Sequence, residues 1–179
     1  MTRHIEICSD MFVLFAGAPG CGKSTIIGDA IRRYSKFSHH QLDTFIAELC
    51  EEQAIMTPPL SDDLIELAVE RLLKGISGRC FVELPHHDYI GIVRSGILKL
   101  GTMNSVVVID ADSTTVLARN KARPVQIPEE YVRRCIATVQ TFKMYLLQGH
   151  IDHLVLDTTS PNTALVGQRL ADYLDPRCC

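Results

Sequence analysis

Residues 11–25 read MFVLFAGAPGCGKST, an apolar run that ends in a glycine-rich turn. The run Met11–Ala16 is continuously apolar, as is typical of a strand buried on both faces of a sheet. After the turn, from Lys23 to about Tyr34, apolar residues recur at the three- and four-residue spacing of a helix with one buried face. The stretch therefore predicts a strand, a glycine loop and a helix in direct succession.

The turn matches the pattern of a phosphate-binding loop, or P-loop. Gly17 and Gly22 permit backbone conformations closed to other residues, so successive N–H groups can turn inward around phosphate oxygens. Lys23 offers a mobile charge to the β- and γ-phosphates, and the helix that begins there points its positive end at the same anion. Ser24 offers a hydroxyl to Mg²⁺, so the pattern predicts a site for a nucleotide with Mg²⁺. The residues of this predicted site are Gly17, Ala18, Pro19, Gly20, Cys21, Gly22, Lys23, Ser24 and Thr25.

The rest of the chain alternates short apolar runs with amphipathic segments. Further strands are predicted near 38–42, 79–84, 105–109 and 154–156. Further helices are predicted over about 43–53, 61–75, 89–100, 113–122, 128–148 and 161–174. Apolar strands that alternate with helices indicate an α/β fold with a parallel sheet covered on both faces. Because we find no repeat, low-complexity tract or linker, we expect a single domain over residues 1–179.

Composition argues against several classes of protein. Hydrophobic residues make up 46% and charged residues 22% of the chain, which is ordinary for a globular protein and argues against disorder. The longest apolar runs, Met11–Ala18 and Ser105–Ala111, are far shorter than the roughly 20 residues of a membrane span. A net charge of −3 makes a nucleic-acid partner improbable. Since no apolar signal-peptide core stands at the N-terminus, we expect a cytoplasmic protein without a membrane partner.

The seven cysteines include no CxxC pair, which argues against a disulfide framework or a zinc cluster. Cys178 and Cys179 resemble the double-cysteine prenylation ending of some membrane-traffic GTPases, although a plain, frayed tail is the favoured interpretation. Asn120 and Lys121 are followed by Ala122 rather than by the aspartate with which GTPases recognise guanine. A signalling GTPase is therefore disfavoured.

Over nearly its full length the chain resembles the small P-loop kinases. This group includes adenylate, shikimate, gluconate and adenylylsulfate kinases, chloramphenicol phosphotransferase and the zeta-toxin-like kinases. Only the P-loop, Gly17–Thr25, is a highly specific match. The resemblance implies a three-layer α/β/α sandwich whose five-stranded parallel sheet has the order 2-3-1-4-5. It also implies transfer of a phosphoryl group from ATP to a hydroxyl of an acceptor bound at the carboxyl ends of strands 2 and 3.

Three acids are candidates for this chemistry. Asp43 lies where several such kinases carry an aspartate just after strand 2, which would orient or deprotonate the attacking hydroxyl; its alternative role is a helix N-cap. Glu83 ends strand 3, which the family's strand order sets beside the P-loop strand, where an acid would hold Mg²⁺ through water or act as an alternative base. By pattern alone Asp110, at the end of strand 4, looks more like a metal ligand, but the strand order favours Glu83.

The segment Val116–Arg123 resembles the lid of these kinases, and the lid-like region spans about 113–134. Arg119 and Arg123 are four residues apart, a spacing that would set both on one helical face toward the phosphates. Guanidinium groups there would hold the migrating phosphoryl group, and Arg119 would also contact the nucleotide. The alternative is a solvated basic helix end. The stretch Asp157–Thr159 resembles the adenine-side loop of the family, which makes Asp157 a candidate cofactor contact.

The acceptor is expected to lie against residues 37–70, which contain no Lys or Arg and several acids. Because an anionic acceptor normally calls for arginines, this composition favours a neutral or cationic small molecule such as a nucleoside, a sugar or an antibiotic-like metabolite. Arg71, Arg79 or Arg94 could still reach the site and weaken this inference. His39–His40 and His86–Asp88 would line the pocket or form ordinary polar surface.

Two other functions stay open from the sequence. A polynucleotide-end kinase would need a basic channel, which the net charge disfavours. A non-catalytic ATP-binding switch or adaptor would need no acceptor pocket, and the candidates Asp43, Arg119 and Arg123 speak against it. The sequence predicts no particular oligomeric state.

Overall fold

The computed structural model describes residues 11–52, 62–76, 78–85, 89–94, 103–160 and 162–178. The strands are β1 (Met11–Ala16), β2 (Ser38–Gln41), β3 (Arg79–Glu83), β4 (Met103–Asp110) and β5 (His153–Asp157). The helices are α1 (Lys23–Arg33), α2 (Leu42–Glu52), α3 (Asp62–Gly75), α4 (Tyr89–Arg94), α5 (Ser113–Lys121), α6 (Glu129–Gln148) and α7 (Thr163–Cys178).

The five strands form one parallel sheet in the order β2-β3-β1-β4-β5, with helices on both faces. The predicted fold class and strand order are therefore confirmed. In the register of the sheet, Phe15 pairs with Glu83 on one side and with Val107 on the other. The carboxyl end of β1 thus lies between the ends of β3 and β4, which is where an open parallel sheet presents its ligand site.

Strand β1 is at the centre of the hydrophobic core. All six of its residues are buried, and alternate side chains enter the two separate cores on either face of the sheet. Leu14 packs in the core that contains Leu72 and Phe142, whereas Phe15 packs in the core that contains Ile27. Because a shift of one residue would exchange the two faces, this burial fixes the register of β1 and the position of the loop after it.

Several predicted boundaries were wrong. Helix α2 begins at Leu42, so Asp43 lies in its first turn and is not the N-cap that the sequence suggested as an alternative. Leu42 is fully buried, which anchors the first turn in the core. Strand β4 begins at Met103, two residues before its apolar run. The first residue of the helix predicted over 61–75, the end of the helix predicted over 89–100, and Cys179 lie outside the described residues.

Helix α7 continues past its predicted end at residue 174 and through Pro176. The proline lacks an N–H, so one helical hydrogen bond is lost in this last turn. The Arg177 side chain supports the turn instead: it donates to the Tyr173 carbonyl, lies 3.9 Å from the centre of the Tyr173 ring and pairs with Asp152 at 2.7 Å. Side-chain contacts that the helical periodicity does not reveal thus extend the helix.

Within the described ranges, no helix combines the length and the apolar character that crossing a membrane requires. Four cysteines of the same ranges are free thiols, namely Cys21, Cys50, Cys80 and Cys135.

Candidate functional site

The loop between β1 and α1 depends on its glycines for two different reasons. Gly20 and Gly22 have φ angles of +90° and +93°, a left-handed conformation that other residues rarely adopt. Gly17 is not among the glycines of positive φ, so the sequence-based reason for it was wrong. A Cβ atom at Gly17 would instead lie 2.6 Å from the Ile109 carbonyl oxygen of β4. Close packing against the neighbouring strand therefore requires this glycine.

The loop leads into the N-terminus of α1 without any side-chain cap. Gly22 is the N-cap and has no side chain that could accept from the free N–H groups of the first turn, and within this described stretch that turn carries no acidic residue. Ser24 and Thr25 are exposed there. The positive end of α1 is consequently open to an anion, as the sequence predicted.

Lys23 extends from this turn into the molecule and is only 5% exposed. Its ammonium donates to the Leu84 carbonyl at 2.9 Å, and its Nζ lies 3.4 Å from Glu83 Oε1. The other carboxylate oxygen of Glu83 accepts from the Gln41 amide at 3.3 Å and lies 3.6 Å from His39 Nε2. The order of the strands therefore sets Glu83 beside the P-loop lysine, as we expected.

A cavity of about 210 Å³ opens above the loop. Its lining residues are Ala18, Pro19, Gly20, Gly22, Lys23, Ser24, Thr25, Glu83, Arg119 and Arg123. Three of these side chains are cationic and one is anionic, so the cavity has a positive balance suited to phosphate groups. Gly17 and Cys21, which were also predicted to belong to the site, are not among the lining residues. Cys21 is buried beneath the loop, and this burial raises the pKa of its thiol to about 11.

Arg119 and Arg123, the two arginines predicted to belong to a lid, reach the cavity from different local structures. Arg119 lies within α5, whereas Arg123 follows the end of the helix at Lys121, so the prediction of one shared helical face was wrong. The Arg119 guanidinium donates to the side-chain and main-chain oxygens of Thr158, at 3.3 Å and 2.6 Å. The Arg123 side chain is exposed and forms no hydrogen bond or ion pair with a described residue.

Asn120 shapes the loop that carries Arg123. Its side chain is buried, donates to the Ile127 carbonyl at 2.7 Å and accepts from the Ile127 N–H at 3.2 Å. Gln126 closes the same loop by donating to the Lys121 carbonyl. Sequence reasoning considered Asn120 in relation to guanine recognition and as part of the lid-like segment, and missed this role because no local pattern reveals a contact across the loop.

Asp43 is exposed in the first turn of α2, and its charge acts on two tyrosines. Burial raises the pKa of Tyr131 to about 12, and the nearby charge of Asp43 contributes to this rise. Burial also raises the pKa of Tyr89 above its usual range, again with a smaller contribution from Asp43. The Tyr89 hydroxyl in turn accepts from the Gly17 N–H at 3.3 Å and donates to the Gly17 carbonyl at 3.0 Å. Asp43 thus acts electrostatically on a tyrosine that contacts the first residue of the P-loop, although Asp43 itself does not line the cavity.

The two other candidate acids are bound away from the cavity. Asp110 accepts from Lys143 at 2.6 Å and from Gln140 at 3.2 Å, both on α6. The lysine therefore compensates the negative charge of this carboxylate. Asp157 is exposed and accepts from the Thr159 N–H, and hydrogen bonds with Thr159 hold its pKa below the usual range. Neither residue lines the cavity, and Asp157 serves to shape the loop after β5.

The acids expected to surround the acceptor divide into separate groups. Glu52 accepts from Arg71 in two hydrogen bonds of 2.8 Å, and Glu48 lies 3.9 Å from the same guanidinium. These acids are therefore paired on the outer surface of α2 and α3. His39 approaches Glu83 rather than Asp43, while His86–Asp88 lie outside the described residues.

A second groove, of about 370 Å³, lies between α1 and α7. Its two charged lining residues each pair with a residue outside the lining: Asp29 pairs with Arg32, and Arg33 lies 2.8 Å from Asp175, which also accepts from the Tyr34 hydroxyl at 2.6 Å. Asp29, its nearest lining residue on α1, is about 9 Å along the helix axis from Lys23. This groove is larger than the P-loop cavity but is separate from it, and it contains none of the residues that the sequence predicted for phosphate binding or catalysis.

No protein-family model and no curated protein matches the chain. Solved structures do match its fold. One is the deoxyadenosine kinase from M. mycoides with bound dCTP, with a TM-score of 0.61 and 15% identity over 93% of this chain and 100% of that chain. Another is the shikimate kinase from Bacteroides thetaiotaomicron, with a TM-score of 0.61 and 14% identity over 92% of this chain and 98% of that chain. The chain thus has the fold of the small P-loop kinases.

Proposed function

We propose that this protein is an ATP-dependent phosphotransferase that moves the γ-phosphate of ATP to a hydroxyl of a small molecule. The observation that carries the proposal is the P-loop cavity, in which Lys23, Arg119, Arg123 and Glu83 surround the open end of α1. A positive cavity at a helix N-terminus is suited to phosphate groups in general and does not specify a reaction. The choice of phosphoryl transfer is supported by the fold, which is that of the small P-loop kinases.

In this proposal the main-chain N–H groups of the loop and Lys23 bind the β- and γ-phosphates. The oxygen of the acceptor hydroxyl attacks the γ-phosphorus, and the bond from that phosphorus to the β–γ bridging oxygen breaks, which releases ADP. The Asp43 carboxylate receives the hydroxyl proton and passes it to solvent. Arg119 and Arg123 stabilise the negative charge on the oxygens of the migrating group.

The residues present also fit Mg²⁺. The Ser24 hydroxyl and the Glu83 carboxylate line the same cavity, and oxygen atoms of this kind are the ligands that Mg²⁺ prefers. Ser24 would hold the ion directly and Glu83 through water. When bound, Mg²⁺ neutralises phosphate charge and fixes the geometry of the triphosphate.

A neutral or cationic acceptor is part of the proposal. Residues 37–70 supply no Lys or Arg, and Arg71 and Lys74, just beyond, pair with Glu52 and Glu70 on their own surface. These pairings leave the acceptor side of α2 without a free cation from these positions. Nucleosides, sugars and aminated antibiotic-like molecules are therefore the classes to test first.

The decisive experiment incubates the protein with γ-labelled ATP, Mg²⁺ and single acceptors. The panel contains nucleosides, sugars, aminated antibiotics, one nucleoside monophosphate and one oligonucleotide with a free 5′-hydroxyl. We expect label on a neutral or cationic molecule. Label on the nucleoside monophosphate would overturn the acceptor class, and label on the oligonucleotide would support a polynucleotide-end kinase.

Calorimetry distinguishes the phosphotransferase from the remaining alternative, a non-catalytic ATP-binding switch or adaptor. Binding of Mg·ATP without transfer to any acceptor, combined with nucleotide-dependent association with another protein, would favour a switch or adaptor. Absence of Mg·ATP binding would overturn the proposal as a whole.

A further inference from the structure

Thr158, the first residue after β5, lies where three parts of the site meet. Thr158 is buried, with 7% of its surface exposed to solvent. Its hydroxyl oxygen lies 2.5 Å from the Cys21 carbonyl oxygen of the P-loop and 3.1 Å from the Asp110 carbonyl oxygen at the end of β4. The same hydroxyl accepts from the Arg119 guanidinium, and the Thr158 carbonyl accepts from it as well. One threonine thus connects the phosphate-binding loop, a strand end and a lid arginine.

The Thr158 hydroxyl donates to one partner in this connection and accepts from another. A threonine hydroxyl has one proton and can accept as well as donate. The shorter of its two carbonyl contacts, to Cys21, identifies the P-loop as the main acceptor of that proton. The lone pairs of the hydroxyl oxygen accept a hydrogen bond from the Arg119 guanidinium. Since the Thr158 N–H donates to the Asp110 carbonyl at 2.8 Å, the main chain is held at the same point.

The two lid arginines differ as a result. A free arginine side chain loses considerable rotamer entropy when it is fixed on a ligand. Arg119 has already been fixed by two hydrogen bonds, whereas the exposed side chain of Arg123 makes none with a described residue. Arg119 is therefore oriented before any phosphate arrives, relative to the loop that binds the phosphate.

We propose that Thr158 is a positioning residue, whose hydroxyl fixes the Arg119 guanidinium relative to the P-loop for phosphoryl transfer. This inference rests on the proposed function, in which Arg119 stabilises charge on the migrating group. The hydroxyl acts through the arginine, so its effect depends on Arg119. A misplacement of about 1 Å in a catalytic group costs up to roughly a hundredfold in rate, which sets the scale of the expected effect.

The test compares Thr158→Val, which keeps the branched shape and removes the hydroxyl, with Thr158→Ser, which keeps the hydroxyl. Each is made in the full chain, alone and together with Arg119→Met. Thr141→Val on α6 is the matched control, because among the described residues its hydroxyl binds only the Ala137 carbonyl of its own helix. Calorimetry measures the Kd of Mg·ADP and of Mg·ADP with aluminium fluoride, a mimic of the transferring phosphoryl group, and thermal unfolding measures Tm.

We expect Thr158→Val to weaken binding of the aluminium fluoride complex roughly ten- to a hundredfold, while the Kd of Mg·ADP changes by less than about twofold. Thr158→Ser and Thr141→Val should keep the affinity of the starting protein. In the Arg119→Met background the loss caused by Thr158→Val should nearly disappear. An equal loss in both backgrounds, or a lower Tm with unchanged affinity for the complex, would overturn the inference and leave Thr158 as a structural contact.

The same measurement keeps the two proposals apart. If the starting protein binds the aluminium fluoride complex no more tightly than Mg·ADP, both the phosphotransferase and the role of Thr158 are overturned. If it binds the complex tightly and Thr158→Val does so too, only the role of Thr158 is overturned.

Discussion

Lys23 and Glu83 form an ion pair across the P-loop cavity, with Nζ 3.4 Å from Oε1. The lysine side chain is 5% and the glutamate side chain 14% exposed, so neither charge is well solvated. A further bond from Nζ to the Leu84 carbonyl completes the environment of the ammonium. Each partner compensates a charge that water reaches poorly. Removal of either one therefore leaves the other charge unpaired and lowers the stability of the protein. The pair also sets the phosphate-binding cation and the proposed Mg²⁺ ligand side by side.

Replacement of Lys23 by methionine should lower ATP turnover by roughly a hundred- to a thousandfold. The variant loses the charge that contacts the β- and γ-phosphates, and effects of this size follow the loss of one electrostatic contact to a transition state. Turnover is measured by release of labelled product from γ-labelled ATP. Lys36→Met, at an exposed position in the turn after α1, is the control and should keep full activity. Turnover within a factor of two of the original in Lys23→Met would contradict the role of the lysine.

Glu83→Gln should raise the Mg²⁺ concentration needed for half-maximal turnover by about tenfold or more. The amide keeps the size of the side chain but offers a weaker ligand to the ion. The measurement is a Mg²⁺ titration at a fixed, saturating concentration of ATP.

Asp110→Asn is the matched comparison for Glu83→Gln. It should leave the Mg²⁺ titration unchanged and lower the free energy of unfolding by about 1–3 kcal/mol, because Lys143 loses a charged partner at 2.6 Å. The reverse pattern, in which Asp110→Asn alone shifts the Mg²⁺ titration, would assign the metal ligand to β4 instead.

Asp43→Asn should retain Mg·ATP binding and lower the rate of transfer by roughly a hundred- to ten-thousandfold, as expected for loss of a general base. Binding is measured by calorimetry and transfer by single-turnover kinetics with the acceptor found in the panel. Glu51→Gln removes another exposed carboxylate from the same helix and should change neither quantity. Transfer at the original rate in Asp43→Asn would exclude this aspartate as the base.

The P-loop and its flanking elements could be predicted because their determinants are local. The burial pattern of β1, the left-handed Gly22 and the first turn of α1 all fall within residues 11–25. The position of Glu83 followed from the strand order, which came from the resemblance to a family rather than from any periodicity. Sheet order is a property of long-range pairing, and a single strand sequence does not specify its neighbour.

The contacts that sequence reasoning missed join residues that are distant in the chain. Tyr89 and Gly17 are 72 residues apart, and Thr158 and Cys21 are 137 residues apart. Only the fold brings such pairs together, so tyrosine and threonine at these positions had no distinguishing spacing. Arg123 was assigned to a helical face for the opposite reason: the four-residue spacing was genuine, but the helix ended before it.

Stability of the lid region should depend on pH through Asp112, the N-cap of α5. Its carboxylate accepts from the Thr115 hydroxyl at 2.7 Å and from the Thr115 N–H at 2.8 Å, and these bonds hold its pKa below the usual 3.8. A carboxyl whose folded-state pKa is depressed contributes stability above its unfolded pKa, and this contribution is lost as the pH falls through the folded value. The contribution should therefore be full at neutral pH and should decline below pH 3.8.

Asp112→Asn tests this dependence, because asparagine caps a helix without titrating. At neutral pH the variant should be slightly less stable than the original protein, since it lacks the negative charge at the helix N-terminus. The difference in Tm should narrow as the pH falls below 3.8. Glu66→Gln, at an exposed position on α3, is the control for general charge effects. A Tm difference that stays constant from pH 7 to pH 3 would show that the cap does not titrate in this way.

Asn120→Leu should destabilise the protein and loosen the loop that carries Arg123. Asn120 is 3% exposed, and both polar groups of its amide bind the main chain of Ile127. Leucine has a similar size but leaves the Ile127 N–H and carbonyl without these partners, which costs about 1–3 kcal/mol in the free energy of unfolding. In a chain of this length a loss of that size lowers Tm by roughly 2–4 °C per kcal/mol. Turnover should fall as well, because Arg123 loses its fixed loop.

Gln126→Ala provides the comparison, because it removes an exposed hydrogen bond of the same loop and should change Tm by little. Denaturant unfolding gives the loss of stability, and turnover under conditions where each variant is fully folded gives the effect on chemistry. If Asn120→Leu is less stable but turns over at the original rate, the asparagine supports the fold alone and Arg123 does not depend on the loop. If both quantities fall while Gln126→Ala stays near the original, the Asn120–Ile127 contact links the stability of the loop to the placement of its arginine.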